Sequence, residues 1–195
     1  MNPTPPSSPR DLEGREVLVC VCGGVAAYKT CEVVSKLVQR GAGVTVAMSR
    51  AARKFVGRAT FEALTARRVL TGLWDESLIA DSPHIRATAE TDAALVAPAT
   101  ANIIGKIAGG LADDIVSTLV MSTVAPVVVA PAMNDRMWNN LFVQANVRRL
   151  REAGYTLVGP GEGWLACRSL GAGRMAEPAE IIDAVVAALH AKKSA

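Results

Sequence analysis

Short runs of apolar, β-branched residues alternate with segments of helical periodicity along this chain, and that alternation limits the fold more than any other feature. Each of five runs that predict strands is followed by glycine, serine or proline: residues 16–22, 44–48, 92–97, 126–130 and 155–158. Apolar residues at helical spacing predict helices at residues 25–40, 51–56, 60–65, 100–108, 111–122, 135–153 and 178–193. We expect mostly loop at residues 72–90 and 159–176. The alternation predicts an α/β fold: a single doubly wound parallel sheet, Rossmann-like or flavodoxin-like, with helices on both faces.

Length and composition agree with one such domain. The chain has 195 residues, of which 50% are hydrophobic and only 4% aromatic, as expected for buried strands rich in Val, Ile, Leu and Ala. Prolines crowd the first ten residues, so we predict a disordered tail at residues 1–13 and a domain at residues 14–195. The high mean hydropathy suggests apolar surface buried against other copies of the chain.

Charge and cysteine usage exclude several classes of protein. A net charge of +3 gives no bulk attraction to nucleic acid. Residues 33–61 contain no acid but six basic side chains, which form either a solvated face or a local anion site. The uncharged residues 115–134 include Pro126 and Pro131, so we predict no membrane span. The four cysteines have no zinc-type or disulfide spacing, so we predict no metal site, reduced thiols and a cytoplasmic location.

Ligands of doubly wound folds bind at the carboxyl ends of the strands, where this chain has glycine, proline and polar residues. The first turn, at Gly23 and Gly24, lacks the dinucleotide fingerprint, and the acid expected after the second strand is missing. Ser49 stands there instead, beside Arg50, and a hydroxyl near a helix start suits a terminal phosphate. The sequence therefore favours a mononucleotide over NAD.

Two further residues are candidates for proton transfer. His84 lies in an irregular segment before the third strand, where a histidine is either structural or catalytic. Cys167 lies in a glycine-rich segment, where it is either an ordinary thiol or a reactive one. Chemistry alone leaves both alternatives open.

Five segments together carry a family signature: residues 22–29, 98–102, 105–114, 131–138 and 165–175. Residues 131–138 match the pattern P-x-M-N-x-x-M-W without a gap, and residues 165–175 resemble a C-G-x-x-G-x-G-R-M substrate flap. The chain resembles the homo-oligomeric flavin-containing cysteine decarboxylases over about residues 15–189. It departs from their pattern at Arg168, where they have glycine, and at Arg86-Ala87, where they usually have an acidic or polar residue followed by leucine.

The resemblance implies FMN as cofactor and assigns roles to particular residues. Those implied to bind FMN are Gly23, Gly24, Val25, Ser49, Thr100, Ala101, Asn102 and Ala132. Those implied to bind substrate are Asn134, Ala166, Arg174 and Met175. His84 is implied to assist the oxidative half of the reaction and Cys167 to supply a proton in the final reduction. The implied reaction oxidises the substrate cysteine to a thioaldehyde, releases CO2 and reduces the resulting enethiol.

Cys167 favours one branch of the family, which converts 4′-phosphopantothenoyl-L-cysteine to 4′-phosphopantetheine in coenzyme A biosynthesis. Three alternatives are weighed: the peptidyl-cysteine decarboxylases of lantibiotic synthesis, which lack that cysteine, the halotolerance-type regulatory flavoproteins, and the flavin prenyltransferases. The resemblance also implies a homo-oligomer, either a trimer or a dodecamer built from four trimers. We expect the synthetase of the same pathway to be a separate chain.

Overall fold

A central parallel sheet organises the protein, for which a computed structural model describes residues 10–73 and 87–191. Its strands are β1 (Glu16–Val21), β2 (Gly43–Met48), β3 (Ala93–Ala99), β4 (Val127–Pro131) and β5 (Thr156–Leu157). They pair in the order β2-β1-β3-β4-β5, and every pairing is parallel. This order is the flavodoxin-like form of the doubly wound fold, so the predicted fold class is confirmed.

Helices cover both faces of the sheet. They are α1 (Ala27–Gln39), α2 (Arg58–Thr65), α3 (Ala101–Gly109), α4 (Ile115–Ser122), α5 (Asp135–Trp138), α6 (Leu141–Glu152) and α7 (Pro178–Ala191). A 3-10 turn at Ala52–Lys54 stands where the sequence predicts the helix at residues 51–56. In the part of the chain that the structure describes, no helix combines the length and the apolar character that a bilayer span requires.

The core has two halves because successive strand residues point to opposite faces. Val19 of β1 belongs to the cluster beneath α1 and α7, which includes Leu37 and Ile181. Leu18, its neighbour in sequence, belongs to the cluster beneath α3, α4 and α6. Leu12 also lies in the first cluster, although it falls within the predicted tail. Its backbone N–H donates to the carbonyl of Arg40, which fixes the start of the described chain on the end of α1.

The predicted helix at residues 135–153 is wrong, because it is two helices. Asn139 ends α5, and Asn140 begins α6 by accepting a hydrogen bond from the Phe142 N–H on its side-chain oxygen at 2.9 Å. Asparagine stabilises a helix start through such a side-chain bond, so Asn140 begins a new helix instead of continuing α5. In the same way, Asp114 begins α4, so the predicted helix at residues 111–122 starts only at Ile115.

Two other expectations require correction. The segment at residues 159–176, predicted as mostly loop, contains an antiparallel hairpin of β6 (Gly161–Trp164) and β7 (Leu170–Arg174). The third strand does not stop before Pro98 but continues to Ala99, with a shift of register against β4 between Val96 and Ala99. Pro98 has no N–H to donate to the ladder, so a strand can pass through it only with such an irregularity.

Candidate functional site

A cavity of about 740 Å³ opens at the carboxyl ends of the parallel strands, between the loops that follow β1, β2, β3 and β4 and the β6–β7 hairpin. Every predicted site residue within the described ranges lines it: Gly23, Gly24, Val25, Ser49, Thr100, Ala101, Asn102, Ala132, Asn134, Ala166, Cys167, Arg174 and Met175. His84 lies outside the described residues, so its predicted role stays a prediction.

The turn after β1 requires glycine because it touches the loop after β2. A Cβ at Gly23 would lie 2.3 Å from the Cβ of Ala51, closer than two carbon atoms can pack. The turn leads into α1, which has no side-chain cap at Ala26 and no acid in its first turn. Backbone N–H groups at such an uncapped helix start attract anions, so this wall of the cavity suits a phosphate.

Ser49 adds a hydroxyl to the same wall. Its Oγ accepts a hydrogen bond from the Ala52 N–H at 3.2 Å, which orients the side chain at the end of β2. Because that bond uses an oxygen lone pair, the hydroxyl proton is left to donate to a ligand in the cavity.

Thr100 shapes the wall opposite. Its Oγ1 accepts from the Ile103 N–H at 3.4 Å and begins α3, so that Ala101 and Asn102 form the first turn at the cavity. Small side chains here leave room for a flat ring system beside the sheet.

Asn134 is fixed by its position as the residue that begins α5. Its Oδ1 accepts from the Met137 N–H at 2.8 Å. This bond determines which end of the amide is the carbonyl, so the Nδ2 group is the end left to donate hydrogen bonds. An amide donor on a cavity wall suits a carboxylate ligand.

The β6–β7 hairpin packs directly on the loop after β4. The Met133 N–H donates to the Gly173 carbonyl at 3.0 Å, and a Cβ at Gly173 would lie 2.2 Å from the Met133 oxygen. Gly173 also has a φ of +133°, a backbone conformation that favours glycine. The hairpin therefore keeps Ala166 and Cys167 beside the cavity.

Cys167 differs from the other thiol at the cavity. It is exposed, with its Sγ 3.1 Å from the Oγ of Ser169, whereas Cys22 is buried. Burial raises the pKa of the Cys22 thiol well above its ordinary value, and it raises that of nearby Cys20 to about 12. Of the described residues, Cys167 is therefore the thiol placed to exchange a proton with a ligand.

Arg168 does not line the cavity. It has a φ of +65°, in the left-handed region that glycine adopts without strain. The family glycine at this position thus has a backbone reason, and the arginine side chain is exposed away from the cavity lining.

Several cavity residues were not predicted from the sequence, among them Tyr28, Lys29, Met137 and Trp164. Lys29 is the charged one, and its ammonium group binds Glu177 at 3.1 Å. Lys29 lies within the family-like segment at residues 22–29, and that segment is its only sequence signal because its partner Glu177 is far away in the sequence.

The basic residues of the acid-free segment take no part in the cavity. Lys36, Arg50, Arg53, Lys54 and Arg58 are exposed and are absent from its lining. Of the two alternatives for this segment, the solvated face fits these side chains, and Ser49 is the part of the segment that faces a ligand.

The fold and the cavity together define a class of protein: a flavodoxin-like α/β protein with a mononucleotide-sized site at the carboxyl ends of its strands. The chain belongs to the Flavoprotein family, whose sequence model matches residues 5–190. The resemblance to flavin-dependent cysteine decarboxylases is thereby confirmed.

Individual relatives agree with this family. The chain is 46% identical over 171 residues to the coenzyme A biosynthesis bifunctional protein CoaBC of Bacillus subtilis (strain 168), covering 88% of this chain and 42% of that protein. The chain therefore spans about two-fifths of the length of the curated relatives that it matches. A PPC decarboxylase mutant complexed with pantothenoylaminoethenethiol is 31% identical, with a TM-score of 0.80 and coverage of 89% and 97% of the two chains. The FMN-dependent cysteine decarboxylase SpaF is 29% identical, with a TM-score of 0.80 and coverage of 93% and 99%.

Proposed function

We propose that the protein catalyses the FMN-dependent decarboxylation of 4′-phosphopantothenoyl-L-cysteine to 4′-phosphopantetheine. The observation that carries this proposal is the convergence on one cavity of a phosphate-type helix start, the Asn134 amide and the exposed Cys167 thiol. The similarity to a coenzyme A biosynthesis protein and to a PPC decarboxylase supports the substrate.

The residues of the cavity fit FMN. The uncapped start of α1 and the Ser49 hydroxyl would hold the phosphate, and both are anion-binding groups on the same wall. Gly23 and Gly24 allow the backbone to approach the ligand, and Thr100 to Asn102 with Ala132 would lie along the ring system. When bound, FMN would supply the two-electron oxidation of the substrate cysteine and the return of both electrons.

The chain's own groups would bind and protonate the substrate. Asn134 Nδ2 would donate to the substrate carboxylate and hold it in the cavity until CO2 leaves. Cys167 would give its thiol proton to the carbon skeleton in the final reduction, with Ser169 Oγ positioned at 3.1 Å to orient the thiol. We keep His84 as the proposed group for the first, oxidative proton transfer.

We also propose that the site is completed by other copies of the chain, in a trimer or a tetramer of trimers. Large apolar side chains at the cavity are exposed in the single chain, among them Tyr28 and Trp164. Such side chains bind apolar parts of a ligand or of a neighbouring subunit. The four free cysteines accord with a reducing compartment, so we place the protein in the cytoplasm. We propose that the flavoprotein domain predicted at residues 14–195 begins somewhat earlier, because Leu12 is buried in its core.

The direct test incubates the FMN-loaded full chain with 4′-phosphopantothenoyl-L-cysteine and weighs the product. Wild type is expected to release CO2 and form the saturated thiol. Cys167→Ser is expected to release an unsaturated product about two mass units lighter, because it lacks the proton donor for the reduction that FMN supports. Cys31→Ser is the control, since Cys31 is a half-buried thiol of α1 outside the cavity lining. A yellow wild-type protein that releases no CO2 from this substrate would exclude the proposal.

A further inference from the structure

Glu177, in the short segment between β7 and α7, binds two cations that reach it from different parts of the fold. Its two carboxylate oxygens accept from Lys29 Nζ of α1 at 3.2 and 3.1 Å. Its Oε1 also accepts from Arg174 Nη2, at the end of β7, at 2.5 Å. Lys29 and Arg174 both line the cavity, whereas Glu177 does not.

The carboxylate is well placed to keep this arrangement. The hydrogen bond from Lys29 holds the pKa of Glu177 below its ordinary value, so the group stays ionised at neutral pH. The Glu177 N–H donates to Glu180 Oε2 at 2.9 Å, which fixes the backbone at the start of α7. The Lys29 side chain is 14% exposed and that of Glu177 is 51% exposed, so water partly screens the ion pair, and its effect is to position the Lys29 ammonium group rather than to add much stability.

Taking the proposed function as the basis, we propose that Glu177 is a positioning residue of this site. It joins the β6–β7 hairpin to α1 and holds the Lys29 and Arg174 cations at the cavity wall, where an anionic substrate meets them. Within the described residues, the Lys29–Glu177 and Arg174–Glu177 ion pairs connect the end of the hairpin to α1, so their loss should loosen the hairpin that carries Cys167.

If Glu177 acted only through its negative charge, its removal would strengthen the binding of an anionic substrate. Removal of a negative charge beside the cavity would make it more positive and lower the KM for an anionic substrate. Positioning requires instead that the KM rise, because two mobile cations lose conformational entropy when they bind the substrate. The direction of the KM change therefore separates the two accounts.

The experiment compares Glu177→Gln with wild type in the FMN-loaded full chain. We expect KM to rise about tenfold, while kcat stays within about twofold of the wild-type value. We also expect backbone hydrogen exchange across residues 161–174 to become about tenfold faster. Asp183→Asn is the matched control: it removes one carboxylate from exposed α7 surface outside the cavity lining and is expected to change neither measurement.

A lowered or unchanged KM together with unchanged hairpin exchange would overturn the proposal. If Glu177→Gln folds poorly, Lys29→Gln replaces it in hydrogen exchange, because it breaks the same ion pair from the α1 side. Positioning predicts that Lys29→Gln quickens exchange across residues 161–174, and unchanged exchange would refute it. Hydrogen exchange does not depend on turnover. A wild type without decarboxylase activity would therefore contradict the proposed function, while the exchange rates of residues 161–174 would still decide the role of Glu177.

Discussion

Gly23 shows how much the site depends on the absence of one side chain. Gly23→Ala would place a Cβ 2.3 Å from the Ala51 Cβ and 2.9 Å from its backbone carbonyl carbon, so the loops after β1 and β2 must separate. We expect a loss of about 1–3 kcal/mol in the free energy of unfolding, as for other overpacked positions, together with weaker FMN binding. Urea denaturation and flavin fluorescence titration measure the two effects.

The control for Gly23→Ala is Gly109→Ala. Gly109 ends α3, and the nearest atom to an added Cβ is the Leu111 Cγ at 4.0 Å. Alanine is favoured over glycine in a helix, so this variant is expected to keep or slightly increase stability. Equal stability of Gly23→Ala and wild type would contradict the close contact between the two loops.

Arg168 is the reverse case, because an arginine stands where the backbone conformation favours glycine. Its φ of +65° costs a non-glycine residue about 1 kcal/mol. Arg168→Gly should therefore be about 1 kcal/mol more stable than Arg168→Ala, which loses the same charge but keeps the strain. Thermal unfolding of the two variants measures this difference. The opposite order of stability would show that the turn between β6 and β7 does not hold residue 168 in the left-handed region.

Several hydrogen bonds and ion pairs hold the start of α4. Asp114 Oδ1 accepts from the Ser117 N–H at 2.9 Å, and Lys106 Nζ binds both Asp113 and Asp114 at 2.6 Å. Burial acts to raise the pKa of Asp114, but the hydrogen bonds from Lys106 and Ser117 outweigh it and leave the pKa below its ordinary value. The ionised carboxylate therefore stabilises the folded protein above about pH 4.

Two variants of Asp114 separate its cap from its charge. Asparagine also caps helices, so Asp114→Asn removes only the charge, whereas Asp114→Ala removes the cap as well and should be about 1 kcal/mol less stable than Asp114→Asn. Wild type should exceed Asp114→Asn in stability at pH 7, and this advantage should shrink as the pH falls through the lowered pKa of Asp114. Urea unfolding at pH 7 and pH 3 tests this, and an advantage that stays constant with pH would refute the role of the charge.

Strands and helices differ in how much of them the sequence predicts. The buried strands are predicted because periodicity and composition are local properties, although the third strand runs two residues beyond its predicted end. The loops that line the cavity follow from the strands, since parallel strands bring their carboxyl ends to one edge, whereas the roles of single residues come from the family resemblance. The break at Asn139 and Asn140 is also a local signal, but it is hidden within a continuous helical pattern. The β6–β7 hairpin is missed because its glycines remove the alternation of apolar and polar side chains that identifies a strand.

Long-range ion pairs lie beyond a sequence pattern altogether. Glu177 and Lys29 are 148 residues apart, and the packing of α7 against α1 brings their charges together. Cys167 and Ser169 are close in sequence, yet their contact depends on the left-handed backbone of Arg168 between them. The loops that form the site were thus predictable, while some of its residues, such as Lys29, and the contacts that orient them were not.

For the whole molecule, apolar exposure at the cavity end of the sheet favours association with other copies. Leu141 and Phe142 at the start of α6 and Leu170 at the start of β7 are each more than two-thirds exposed. Burying one phenylalanine at an interface contributes about 2 kcal/mol per copy, and a cyclic trimer would gain this several times over. A charged group at such a position would be buried without a partner.

We therefore expect wild type to form a trimer or a multiple of it, and Phe142→Glu to shift it towards the monomer while weakening FMN binding. Size-exclusion chromatography with light scattering gives the mass, and flavin fluorescence gives the affinity. Val124→Glu is the matched control because Val124 is 92% exposed but lies just before β4, at the opposite end of the sheet. A monomeric wild type that binds FMN fully would show that one chain completes the site, whereas joint loss of assembly and FMN affinity in Phe142→Glu alone would locate the cofactor at the subunit contact.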